Sequence, residues 1–177
     1  DMLTVQGRTW PDAVWDPAGS TVIEASPPGN WSAFGPGNWS NTRTVNCSVN
    51  VSDWRSGLRV SSAEYQFSND SGANWSNWRP ASCTGANGTT ANQTITARSV
   101  TFGNDSAAAN LIRYRIRDAA GNPGSSPNYT VRIDSTPPSG WLLRFPVDWY
   151  SADRRPAVQV AVSDNLSGLD IDANSTA

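Results

Sequence analysis

Val45-Asn46-Cys47-Ser48-Val49-Asn50-Val51-Ser52 alternates without a break between apolar and polar residues. Successive side chains of a strand point to opposite faces, so Val45, Cys47, Val49 and Val51 share one side and Asn46, Ser48, Asn50 and Ser52 the other. Such a strand belongs to a sheet packed on one face and wet on the other. The pattern returns 111 residues later, where Val158, Val160 and Val162 stand in the places of Cys47, Val49 and Val51. Cys47 is therefore predicted to be a core position.

Outward from this strand, the 177 residues carry 14 Gly and 12 Pro, too many turn formers for long helices. No stretch of a dozen residues places apolar side chains at helical spacing. Short runs rich in Val, Ile, Thr, Tyr and Phe predict further strands over 63–68, 94–102, 111–117 and 129–134. Tyr65, Phe67, Ile112, Tyr114, Ile116, Tyr129, Val131 and Ile133 are expected to face inward. About seven short strands with turn signals between them predict an all-β, Greek-key β-sandwich.

The sequence repeats with a period near 110. Pro27-Pro28-Gly29-Asn30-Trp31 returns as Pro137-Pro138-Ser139-Gly140-Trp141, and Trp39 as Trp149. Val51-Ser52-Asp53 and Ser56-Gly57-Leu58 return as Val162-Ser163-Asp164 and Ser167-Gly168-Leu169. The expected organisation is the tail of one module (1–26), a whole module (27–136) and the opening strands of another (137–177), as in a tandem array. The ends read either as cuts within a longer chain or as strands completed by neighbouring subunits through strand addition.

Asparagine carries the strongest signal. Twelve of 16 Asn residues stand in Asn-x-Ser/Thr with x not Pro: Asn30, Asn38, Asn46, Asn50, Asn69, Asn74, Asn87, Asn92, Asn104, Asn128, Asn165 and Asn174. With Ser and Thr at 37 positions, chance would supply roughly three. The excess predicts N-glycosylation, and with it export and an extracellular or cell-surface location. In that setting Cys47 and Cys83 are expected to form a disulfide, two free buried thiols being the alternative.

Several chemistries are excluded by composition. With no His and no Lys, histidine triads, His-ligated zinc and Schiff-base lysines are ruled out. The acids fall mostly in turns, where Asp caps its own backbone, so no catalytic residues are assigned and the chain is read as a non-enzyme. A formal charge of −2 gives no reason to expect nucleic acid as partner, and no segment is apolar enough to span a membrane.

Tyr114-Arg-Ile-Arg-Asp-Ala-Ala-Gly-Asn122, the Asp134-Ser-Thr-Pro-Pro138 linker and Asn69-Asp-Ser-Gly72 followed by Trp75 resemble the immunoglobulin-like repeats of prokaryotic surface proteins. Joined to the dense glycosylation signals, the likeness is closest to archaeal surface-layer, sheath or filament proteins. It implies a structural module that self-assembles into a coat or filament. A Cys pair is not part of that pattern. The rival reading is an adhesin or carbohydrate-binding module, for which nine Trp would supply stacking surfaces. Trp31/Trp141 and Trp39/Trp149 recur with the repeat and are expected to pack; Trp54, Trp75 and Trp78 are the candidates for exposure.

Two further sets stand out. Arg113, Arg115 and Arg117 alternate with core positions, and Arg132 has the same outward parity. They form either a solvated face with Glu64 as a cross-strand partner or a contact with acidic groups of another subunit. Sandwich topology also brings Asp53 and Asp118 near Glu24 of the incoming linker, and Asp164 near Asp134 at the next. These five carboxylates are a candidate Ca2+ set, against the plainer reading of Asp side chains capping their own turns. No other cofactor is expected beyond covalent N-glycans.

Overall fold

The computed structural model describes residues 13–15, 22–145 and 158–170, and among them it is all-β, with no helix. Strands β1 (Ala13–Trp15) and β2 (Val22–Glu24) pair antiparallel ahead of the first linker. Beyond it come β3 (Gly29–Gly35), β4 (Thr44–Ser52), β5 (Leu58–Ser68), β6 (Arg79–Pro80), β7 (Ser82–Cys83), β8 (Gln93–Thr101), β9 (Leu111–Asp118), β10 (Pro123–Ser125) and β11 (Tyr129–Thr130). They form two antiparallel sheets, one ordered β3-β4-β8-β7 and one ordered β10-β9-β5-β6, with β11 also on β9. After the second linker, β12 (Ser139–Phe145) pairs with β13 (Gln159–Ser163).

One apolar cluster draws on both sheets: Cys47, Val49 and Val51 from β4 and Ile95 and Ala97 from β8 meet Tyr65 from β5 and Ile112, Tyr114 and Ile116 from β9. This is the two-layer arrangement of a sandwich. The inward parity read from the 45–52 stretch holds, with Cys47, Val49 and Val51 fully buried. Tyr114 lies at the centre, fully buried, where desolvation pushes its phenol pKa well up.

Two predicted strands differ in extent, for identifiable reasons. Strand β5 begins at Leu58 because a bulge between Arg59 and Glu64 carries the ladder across an irregular stretch. There the Ser62 hydroxyl accepts from the Arg117 amide at 2.8 Å and donates to the Arg59 carbonyl at 2.7 Å. The 129–134 stretch ladders only through Tyr129 and Thr130. The chain then leaves β9, and Ile133 bridges to Ser40 and Ser106. Val131 and Ile133 are still fully buried, so their core assignment stands.

The expected disulfide is not formed: Cys47 and Cys83 are free thiols. Strand β8 lies between β4 and β7, with Ala97 opposite Cys47 and Ile95 opposite Cys83. Two strand spacings amount to roughly 9.5 Å, beyond the Cα separation of about 7 Å that a disulfide spans. Burial pushes the Cys47 thiol up to about 12 and that of Cys83 to about 11.

The Trp expectations divide. Trp31 packs against the core and Trp39 is half-buried, but Trp141 is 63% exposed. Among the described residues β12 has only β13 as a ladder partner, so no second sheet covers that ring. Trp149 lies outside the described residues.

Candidate metal centre at the linker entry

Asp53 closes the end of β4. Its Oδ1 accepts the amides of Arg55 at 3.1 Å and Gly57 at 2.9 Å, so the side chain organises its own turn. That turn needs glycine: Gly57 has φ +72°, and a Cβ there would stand 2.3 Å from the Gly88 carbonyl carbon. Its carbonyl accepts the Ala119 amide at 2.8 Å, tying the turn to the end of β9.

Asp118 ends β9 and is likewise a turn former. Its Oδ1 accepts the amides of Gly121 at 2.6 Å and Asn122 at 2.7 Å, and its Oδ2 accepts the Asn122 amide nitrogen Nδ2 at 2.7 Å. The same Nδ2 donates to the main-chain carbonyl of Glu24 at 3.1 Å. Pro28 of the linker is buried against β10, where a Cβ on Gly124 would meet the Pro28 carbonyl at 2.5 Å. The linker is thus seated on the β9–β10 turn, and that seating delivers Glu24.

Glu24, Asp53 and Asp118 each bring one carboxylate oxygen within 4.8 Å of the others. Asp53 is 2% exposed and Asp118 is fully buried. Both Glu24 oxygens and Asp53 Oδ2 are closed off from solvent without a hydrogen-bond partner. Oxygen donors alone, with no N or S ligand, suit a hard cation such as Ca2+.

The second linker repeats part of this arrangement. Asp164 Oδ1 accepts Leu166 N at 3.1 Å and Gly168 N at 2.9 Å, the same pattern as at Asp53. Asp134, in the place of Glu24, differs: its Oδ2 accepts Ser167 N at 2.9 Å and its Oδ1 accepts Thr136 N at 3.1 Å. Ser167, through its amide and hydroxyl, holds the Asp134 carboxyl below the ordinary carboxylate range. Asp164 thus caps its own turn, while Asp134 caps its own through Thr136 and also reaches the Asp164 turn through Ser167, 33 residues away.

The exit linker has an anchor that sequence reasoning missed. Asp105, in the loop between β8 and β9, pairs with Arg43 Nε at 2.9 Å. It also accepts the hydroxyls of Ser135 at 2.8 Å and Thr136 at 3.0 Å and the Ser135 amide at 3.1 Å. Arg43 first, then Ser135, holds its carboxyl down at about 2. Asp105 has no repeat partner in the chain to single it out, and it sits inside a glycosylation signal like many others. The bond from Asn122 to Glu24 likewise has no sequence signal, because it joins residues 98 apart.

The arginine face forms in part. Arg115 faces Glu64 across the β5–β9 ladder and pairs with it at 2.6 Å, as the solvated-face reading expected. Arg113 lies 4.2 Å over the Trp75 ring and Arg115 4.2 Å over Trp78, so two of the Trp residues expected to be exposed are half-buried beneath guanidinium groups. Arg117 Nη1 turns to the Gly121 carbonyl at 2.9 Å, and Arg132 is exposed beyond the ladder. Trp54 is 65% exposed, as expected.

No protein-family model, no curated protein and no solved structure matches the chain.

Proposed function

We propose that the chain is a non-enzymatic, immunoglobulin-like structural repeat of a glycosylated extracellular coat, sheath or filament of the archaeal surface-layer kind, assembling with copies of itself. The observation that carries this reading is the placement of the glycosylation signals. Of the eleven such asparagines among the described residues, nine are exposed, two (Asn50 and Asn69) are half-buried and none is buried. Asn110, outside any signal, is fully buried. Asn46, Asn50 and Asn69 engage structure through Oδ1, accepting from Ser99 N, Thr94 Oγ1 and Gly103 N, whereas Asn30, Asn74 and Asn104 each donate from Nδ2, which keeps a second hydrogen that a glycan can replace. Asn174 lies outside the described residues.

Support for the fold assignment comes from the strand order. β3-β4-β8-β7 facing β6-β5-β9-β10/β11 agrees with the order expected of an immunoglobulin sandwich, with crossovers from β4 to β5, from β6 to β7 and from β8 to β9. The adhesin or sugar-binding alternative draws on Trp54, but the faces of Trp75 and Trp78 are occupied by arginines, so these rings form no open stacking row with it. Intact mass of material from the native host, before and after deglycosylation, tests the proposal. Substantial excess mass at most of the twelve signals is expected; a segment at its bare 19.0 kDa would sink it. Negative-stain images of that material should show a regular sheet or fibre.

A further inference from the structure

We propose that Glu24, Asp53 and Asp118 together hold one divalent hard cation, Ca2+, which fastens the incoming linker to two turns of the module. Three carboxylates within 4.8 Å of one another repel, and burying ionised groups without compensation is costly. Asp53 and Asp118 are each held in place by two main-chain N–H groups, which fixes their carboxylates beside Glu24.

The independent observation is Asp53 Oδ2. The side chain is 2% exposed, its Oδ1 is occupied by the Arg55 and Gly57 amides, and Oδ2 is shut off from water with no donor to meet it. Glu24 presents two more oxygens in the same condition. Buried acceptors without donors are rare in folded proteins and call for an ion or equivalent partner. A cation bound there meets oxygens alone. Ca2+ accepts six to eight of them in irregular geometry, whereas Mg2+ demands a near-octahedral shell and keeps its water.

Comparison with the second linker sharpens the assignment. Asp164 repeats the Asp53 turn bond for bond, yet Asp134 meets Ser167 N where Glu24 meets nothing. The proposal therefore covers the entry cluster alone. It is independent of the surface-assembly reading, because it concerns the purified chain.

The test uses the 177-residue chain stripped with chelator, then titrated with CaCl2 or MgCl2 at matched ionic strength. Calorimetry should report one Ca2+ per chain, and thermal unfolding should shift up by several degrees. Asp53→Asn keeps the Oδ1 acceptor for its turn, so it should fold. It should bind Ca2+ at least tenfold more weakly, and in chelator it should melt at or above the wild-type temperature because one repelling charge is gone. Glu24→Gln should behave alike, and Asp164→Asn should respond to Ca2+ as wild type does. No Ca2+-dependent shift in the wild type, or an undiminished shift in Asp53→Asn, overturns the site; an equal response to Mg2+ overturns its assignment to Ca2+.

Discussion

The two copies of the repeated strand and turn have nearly the same local sequence and opposite surroundings. Cys47, Val49 and Leu58 are fully buried, while their counterparts Val158, Val160 and Leu169 are 71%, 51% and 38% exposed. Local geometry is nonetheless shared. Both turns have a glycine at positive φ, +72° at Gly57 and +80° at Gly168, and both aspartates hold the same two amides. Turn chemistry is thus specified within a handful of residues, whereas burial depends on a second sheet that the described part of the later copy does not supply.

The largest expected effect separates the copies by packing. Leu58→Ala should cost about 3 kcal/mol in denaturant unfolding, and Leu169→Ala less than about 0.5 kcal/mol. Equal losses would mean that Leu169 is covered in solution. Next comes the turn itself. Gly57→Ala forces a Cβ against the Gly88 backbone and should cost roughly 2 kcal/mol or more, whereas Gly168, with open space around it, should lose only about 1 kcal/mol to its left-handed conformation.

Smaller still is the exchange of Cys47 for the residue found in the later copy. Cys47→Val should cost under about 1.5 kcal/mol, as a buried thiol of similar volume, against about 2–5 kcal/mol were a disulfide lost. Alkylation under denaturing, non-reducing conditions should label both thiols. In the native protein Cys47, buried and with its pKa near 12, should be labelled far more slowly than in the unfolded chain.

The last effect is confined to the exit linker. Asp105 has its carboxyl lowered from 3.8 to about 2, so its stabilising contribution is complete above pH 4 and fades as pH falls through about 2. Amide exchange at Ser135, whose N–H it accepts, should stay protected at pH 4 and accelerate near pH 2 beyond the intrinsic trend; Asp105→Asn should abolish that acid step.

What the sequence disclosed follows the same division. Alternation in 45–52 and 111–117 placed the core faces, because strand parity is a local property. Sandwich topology brings Glu24, Asp53 and Asp118 together, since the loop after β4 and the turn after β9 lie at the same end as the incoming linker. Parity could not say which sheet Cys83 joins. An inward cysteine on the facing sheet could have met Cys47, but one across β8 in the same sheet cannot. The stacking of Arg113 and Arg115 on Trp75 and Trp78 is not legible in the sequence either, because it depends on the 69–78 segment lying against β9.

The anchoring of the two linkers has a mechanical consequence. The entry linker is fastened to the Asp118–Asn122 turn at one end of β9 through Asn122, and to β10 through Pro28. The exit linker is fastened to Asp105, in the loop that leads into the other end of the same strand. A pull applied between these two anchor points would run lengthwise along β9, roughly 26 Å of extended chain. That strand is laddered to β5 on one side and to β10 and β11 on the other. Its hydrogen bonds lie across the line of pull and must shear together rather than peel one by one. Under load β9 should carry the strain for as long as the two anchors hold.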